Sequence, residues 1–189
     1  MIQIIDDFIS VDFQEEIKHT LLGRSFPWYF TEDITFEKSL GQPHPAHAHL
    51  FCRNKKPTSN YFDMVLPLAH FGASAANFKF NNVVQCRSFL QYPLSNSFLE
   101  KNVDNLHIDL PYDHLVVLYY VVDSDGDTLI VDKIREGDIE EYHHNVEDYK
   151  ILQRVKPKQG RAVIFDGKYY HTAEQPSKNM RCIINFDIV

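Results

Sequence analysis

Six short segments crowd the second half of this 189-residue chain: 83–91, 114–122, 128–132, 149–155, 162–165 and 181–188. Each is rich in β-branched and aromatic residues, the types that fit a pleated, half-buried surface. Residues with turn chemistry stand between them: Asp123, Asp125 and Gly126; then Glu136, Gly137 and Asp138; then Asp166 and Gly167. Many short strands punctuated in this way point to a sandwich or jelly roll.

The first 80 or so residues read differently. Phe13, Ile17 and Leu21 recur every four residues, which makes one apolar stripe on a helix. Ser10 is a suitable N-cap and Gly23 a suitable stop, with Asp12, Glu15 and Glu16 near the positive helix end. A second helical pattern runs over 61–76, with Phe62, Val65, Leu66 and Ala69 on one side. Pro67 should kink or break it, because proline lacks the N–H that the helix needs there. With no repeat and no linker, the chain reads as one domain, 1–189. Residues 1–80 are then a helical support and 81–189 a strand-rich core.

Charge narrows the function. Lys and Arg number 19 against 26 Asp and Glu, for a net charge of −7. That argues against a nucleic-acid partner bound by a broad basic face, while one buried Arg could still hold a small anion. No apolar run reaches the length of a membrane helix. The first ten residues carry two acids and no basic region, so they do not read as a secretory signal. Cys52, Cys86 and Cys182 are odd in number and far apart, which suits buried thiols in a reducing cytoplasm.

The chemistry centres on His107, Ile108 and Asp109. In an extended segment alternate side chains share a face, so His107 and Asp109 point the same way. Imidazole and carboxylate are two ligands for a divalent first-row metal, and a second His would complete a facial triad with open positions. His171 is the best candidate. Ten residues further on, Arg181 opens the last strand-like segment, where its guanidinium could pair bidentately with a carboxylate. The pair His107/Asp109 alone is a weak signal. His107, Asp109, His171 and Arg181 together, in a strand-rich chain, form a specific one.

This pattern resembles the 2-oxoglutarate- and Fe(II)-dependent oxygenases, in particular the prolyl-hydroxylase-like branch with its small phage and bacterial relatives. Leu118, Tyr119, Tyr120 and Val121 are similar to the strand after the metal motif. Residues 160–176 are similar to the strand–turn–strand that delivers the distal His. Phe26, Pro27, Trp28 and Tyr29, with His49, Leu50 and Phe51, resemble the N-terminal region of the phage type.

The resemblance implies a mainly β fold with N-terminal helices, a double-stranded β-helix of the jelly-roll, cupin-like kind. It implies Fe(II) on His107, Asp109 and His171, with 2-oxoglutarate as cosubstrate, O₂ as oxidant and ascorbate as a stimulant. Arg181 and Tyr120 would hold the far carboxylate of 2-oxoglutarate, and Tyr92 would line its pocket. The implied reaction hydroxylates a C–H bond of a prolyl or other amino-acid substrate, in a peptide or a small molecule, releasing succinate and CO₂. No catalytic group beyond the metal ligands is needed. A non-catalytic jelly-roll binding protein, or a cupin-like metalloenzyme without 2-oxoglutarate, is the alternative.

Other histidines compete for notice. His47 and His49 would share a face if extended, and with His44 they form a cluster that could be a second metal site, although a substrate-side or structural role suits His49 better. His143 and His144 lie in the acidic stretch 136–148, which reads as a solvated loop. His114 starts a strand beside the metal motif. Residues 95–105, rich in Asn, Ser, Asp and Lys, read as a loop near the site.

Overall fold

The computed structural model describes residues 1–34, 44–95, 102–137 and 145–189. In chain order the elements are β1 (Ile2–Ile5), α1 (Val11–Leu21), β2 (Tyr29–Thr31), β3 (Ala46–Arg53), β4 (Lys56–Pro57), α2 (Phe62–Ala75), β5 (Val83–Gln91), β6 (Leu115–Tyr120), β7 (Thr128–Ile134), β8 (Ile151–Val155), β9 (Ala162–Asp166), β10 (Tyr169–Ala173) and β11 (Arg181–Ile188). The larger sheet runs β1-β9-β6-β11-β5-β3-β2, with β4 paired to β3, and the smaller runs β10-β7-β8. Every pairing is antiparallel.

Strand alternation divides the core in two. On β6, Leu115, Val117 and Tyr119 face one cluster, while Val116, Leu118 and Tyr120 face another. β11 repeats the pattern, with Cys182, Ile184, Phe186 and Ile188 on the first side and Ile183 on the second. Both faces of these strands are buried, so they read as near-continuous apolar runs. The first cluster takes in Ile17 and Leu21 of α1 and Val65, Leu68 and Ala69 of α2. The second joins Phe89, Leu118, Tyr120 and Ile183 of the large sheet to Ile130 and Val155 of the small one. The helices thus cover the outer face of the large sheet, and the two sheets meet across its inner face.

The helices follow their apolar stripes. Ile17 and Leu21 are fully buried, each worth roughly 1.5–3 kcal/mol against exposure. Ser10 stands at the N-cap but caps through its backbone, its carbonyl accepting from Gln14 N–H at 2.9 Å, with no side-chain cap bond. α2 continues through Pro67 without ending there. It buries Leu68, Gly72 and Ala73 beside Phe62, Val65 and Ala69. Gly72 marks its closest approach to the sheet: a Cβ there would lie 2.5 Å from Val117 Cγ2.

Residues 1–80, expected as a helical support, hold strands as well as the two helices. That region also supplies β1, β2, β3 and β4 to the large sheet. β1 pairs with β9, and the eight-residue β3 pairs with β5 over most of its length. Segment 44–49 offers Ala and His beside Pro45 in place of the β-branched and aromatic residues of the other strands, and its pairing with β5 reveals the strand. No helix among the described residues is long and apolar enough to cross a membrane.

Candidate metal centre and anion pocket

Between the sheets lies a cavity of about 340 Å³, lined among others by His107, Asp109, His171, Arg87, Asn185, Thr128 and Arg181. Its size falls at the small end of the ~300–1,000 Å³ range of small-molecule sites.

His107 and Asp109 sit on the segment before β6, outside the regular strands. A bridge between His107 and His171 ties that segment to β10, through N–H to carbonyl bonds of 3.0 and 2.9 Å in the two directions. The three side chains offer ligand atoms all within 4.8 Å of one another. His107 Nε2 is 4.0 Å from Asp109 Oδ1, and His171 Nε2 is 3.3 Å from Asp109 Oδ2.

The donor set suits a divalent metal. His107 Nδ1 lies 2.8 Å from the Asn105 carbonyl, and His171 Nδ1 lies 3.3 Å from the Tyr169 carbonyl. A carbonyl can only accept, so the proton sits on Nδ1 in each ring and the Nε2 lone pair is left for a metal. Burial, helped by the neighbouring His171, pushes His107 down to about 4, so its ring is neutral at ordinary pH. Burial works against ionising Asp109, but the neighbouring Arg87 charge holds its carboxyl well below the usual carboxylate range. Two imidazoles and one carboxylate, facing one cavity, are the ligand chemistry of a non-haem Fe(II) site with open positions.

Arg181 occupies the far end. It is 3% exposed and donates to the Gly126 carbonyl at 3.1 Å, Gln91 Oε1 at 2.9 Å and Thr128 Oγ1 at 2.9 Å. All three acceptors are uncharged. Burial works against the charge of this guanidinium, the nearby Asp104 and Asp127 offset only part of that, and a buried cation hydrogen-bonded only by neutral groups is stabilised further by an incoming anion. Arg181 and Asn185 lie on the same face of β11, and Asn185 Nδ2 reaches Asp109 Oδ2 at 3.2 Å. Four residues of strand, a backbone rise of roughly 13 Å, separate these two positions, and their side chains approach the cavity from its two ends.

Tyr120 faces inward and donates its hydroxyl to Thr128 Oγ1 at 2.8 Å. Its phenol stands behind Thr128, and Thr128 lines the cavity in its place. Tyr119 faces the helices. Tyr92 is not brought to the cavity. Arg87 and Phe89 of β5 line it, and Gln91 bonds Arg181 there. The next residue is turned to the other side, where Tyr92 is 46% exposed with its ring 5.6 Å from that of His47.

The histidine cluster does not form a metal site: neither group of three potential ligands among the described residues includes its members. His49 is structural. Its Nδ1 meets the Pro27 carbonyl at 2.8 Å, its Nε2 meets Ser59 Oγ at 2.8 Å, and its ring packs on Phe26 and Phe51. His44 Nδ1 pairs with Asp104 Oδ1 at 2.7 Å, and Asp104 lines the cavity. Asp104 comes from the described end of the 95–105 loop, whose residues 96–101 lie outside the described residues, as do His143 and His144. His114 packs its ring over Gly167, where a Cβ would fall 2.1 Å from Nε2.

Reading the sequence for the site missed Arg87, Gln91, Thr128 and Asn185. A signal existed for three of them. Arg87 and Gln91 interrupt the apolar run of β5 two positions either side of Phe89, and Asn185 interrupts that of β11 four positions from Arg181. Polar residues at period two inside buried strands mark a polar inner surface.

No protein-family model matches the chain, and no curated protein does. Solved structures do. An oxidoreductase of the 2OG-Fe(II) oxygenase family from Burkholderia pseudomallei superposes with a TM-score of 0.70, over 99% of this chain and 84% of that one, at 12% identity. The chain has the 2OG-Fe(II) oxygenase fold. A prolyl hydroxylase from Trichoplax adhaerens, in complex with a hypoxia-inducible-factor peptide, shares this fold with a TM-score of 0.64, covering 99% of this chain and 82% of that one at 14% identity. The non-haem, α-ketoglutarate-dependent epimerase SnoN of nogalamycin biosynthesis shares it with a TM-score of 0.67, covering 100% and 76% at 10% identity. The 2OG-Fe(II) oxygenase fold thus carries a peptide hydroxylase and a small-molecule epimerase alike, and substrate must be argued from the site.

Proposed function

We propose that this chain is a 2-oxoglutarate- and Fe(II)-dependent dioxygenase that hydroxylates a C–H bond of a prolyl or other amino-acid substrate, releasing succinate and CO₂, and that residues 1–189 act as a single domain. The observation that carries this reading is one cavity with a His107/Asp109/His171 ligand group at one end and the neutral-bonded Arg181 at the other. An elongated molecule with a chelating head and an anionic tail, such as 2-oxoglutarate, suits that pairing of ends.

His107, Asp109 and His171 would hold the iron, which when bound supplies the oxygen-activating chemistry that no side chain here can. Arg181 would take the far carboxylate of the cosubstrate, with Thr128 beside it and Tyr120 holding Thr128 from behind. Phe89, Leu118 and Ile183 line the stretch between and keep it apolar, which strengthens both polar ends by excluding water. The hydrogen bonds at Nδ1 of both histidines keep their rings turned toward the metal position. Ile108 lies on the opposite face to its two ligand neighbours, buried with Leu106, Val131 and Tyr170, which anchors the ligand segment from below.

The test is succinate formation by purified protein given Fe(II), ascorbate and 2-oxoglutarate, beside His107→Ala and Asp109→Ala. Uncoupled succinate that both variants abolish supports the proposal. If wild type forms none, 2-oxoglutarate is titrated into metal-loaded protein, and absence of binding there would overturn it.

A further inference from the structure

Asp109 is a ligand carried by a loop, and something must hold it still. Both of its oxygens are taken by side chains of the large sheet. Arg87 on β5 donates from Nη2 to Oδ1, at 2.5 Å. Asn185 on β11 donates from Nδ2 to Oδ2, at 3.2 Å. Arg87 and Asn185 are direct cross-strand partners, so the two donors stand side by side on one rigid surface. Arg87 is braced in turn. Its Nη2 also reaches Asp187 Oδ2 at 3.5 Å, and its guanidinium lies 5.7 Å from the centre of the Phe89 ring. Asp187 is fully buried, two residues beyond Asn185 on the same face of β11.

We propose that Arg87, with Asn185, is a positioning residue that fixes the rotamer of Asp109 and leaves it to bind metal through one oxygen. This rests on the metal-centre reading above and adds to it which residues outside the ligand set tune the metal. Oδ1 is held by a charged donor at 2.5 Å, whereas Oδ2, turned to His171 at 3.3 Å from Nε2, accepts only the longer 3.2 Å bond from the neutral Asn185 and keeps a lone pair for a metal. A single carboxylate oxygen and two imidazoles fill three positions and leave the rest open. A carboxylate free to bind through both oxygens would close one of them. Arg87 could in principle act the other way, since a guanidinium beside a divalent cation repels it. The two effects predict opposite changes on removing the charge, which makes the assignment testable.

The experiment is titration of Co(II), an air-stable stand-in for Fe(II), into metal-free protein, followed by calorimetry and visible absorption. Wild type, Arg87→Gln, Arg87→Lys, Asn185→Ala and His107→Ala are compared after their folding is checked by thermal melting. The expected result is a Kd about 10–100-fold weaker in Arg87→Gln, the usual cost of losing a hydrogen-bond partner of a metal ligand. Arg87→Lys should recover part of the loss and Asn185→Ala should show a smaller one, with a changed Co(II) absorption band in both. In metal-saturated enzyme, kcat should fall by a larger factor than KM for 2-oxoglutarate rises, because Arg87 does not touch the Arg181 end that would hold the far carboxylate. Co(II) binding by Arg87→Gln as tight as or tighter than wild type overturns the proposal. Should Arg87→Gln fail to fold, Asn185→Ala decides, and an unchanged Kd and band there overturn it. A wild type that binds no Co(II), or binds it equally in His107→Ala, would instead remove the metal-centre reading itself.

Discussion

Arg181 and Tyr120 meet on one hydroxyl: Thr128 Oγ1 accepts from Arg181 Nη2 at 2.9 Å and from the Tyr120 phenol at 2.8 Å. With both lone pairs engaged as acceptors, the Thr128 proton is free to point into the cavity, where an anion held by Arg181 would receive it.

Replacing the cation should therefore cost most of the cosubstrate binding. Arg181→Gln is expected to weaken 2-oxoglutarate by about 2–5 kcal/mol, the range for losing one partner of a buried charged pair. Tyr92→Ala, on the opposite side of β5, should leave it unchanged. Titration of 2-oxoglutarate into metal-loaded protein checks both, and an unchanged Arg181→Gln would break the cosubstrate assignment.

The two adjacent tyrosines should respond with different signs. Tyr120→Phe removes a made hydrogen bond and should cost about 0.5–1.5 kcal/mol of stability. The Tyr119 hydroxyl is buried without a partner among the described residues, so Tyr119→Phe should be neutral or stabilising. Urea unfolding of the pair of variants reads the difference directly.

Gly126 holds the turn from which Arg181 is positioned. A Cβ there would fall 2.5 Å from the Glu174 carbonyl oxygen and 3.2 Å from Arg181 Cδ. Gly126→Ala is expected to destabilise by about 1–3 kcal/mol and to weaken 2-oxoglutarate as well, since the displaced Gly126 carbonyl is the acceptor for Arg181 Nε. Loss of stability with binding intact would show that the turn does not position Arg181.

The pH dependence of stability has an acid component at Asp6. Hydrogen bonds from Arg161 and then Lys158 lower its carboxyl from 3.8 to about 2. A group depressed in the folded state contributes stability fully above its ordinary value and loses it as pH falls through the folded one. The Tm gap between wild type and Asp6→Asn should be constant above pH 5 and close as pH falls toward about 2. A gap that stays undiminished at pH 2 would show that it does not arise from the charge of Asp6.

The sequence by itself determined what depends on local chemistry. The apolar stripe of α1, the turn at Gly167, and the strands β5, β6 and β11 follow from periodicity and residue type, and the structure contains all of them. The spacing of His107 and Asp109, with His171 and Arg181 downstream, singled out four residues that the fold collects around one cavity. Tertiary structure alone decided which neighbour faces inward. Tyr119 and Tyr120, or Gln91 and Tyr92, are equally good strand residues, and shifting a strand by one position exchanges every side chain between the faces. Register against β11 puts Tyr120 inside, and it pairs Arg87 with Asn185 over Asp109. Such pairing joins residues nearly a hundred positions apart, and no local pattern encodes it, because hydrogen bonds between strands are made by backbone atoms that every residue shares.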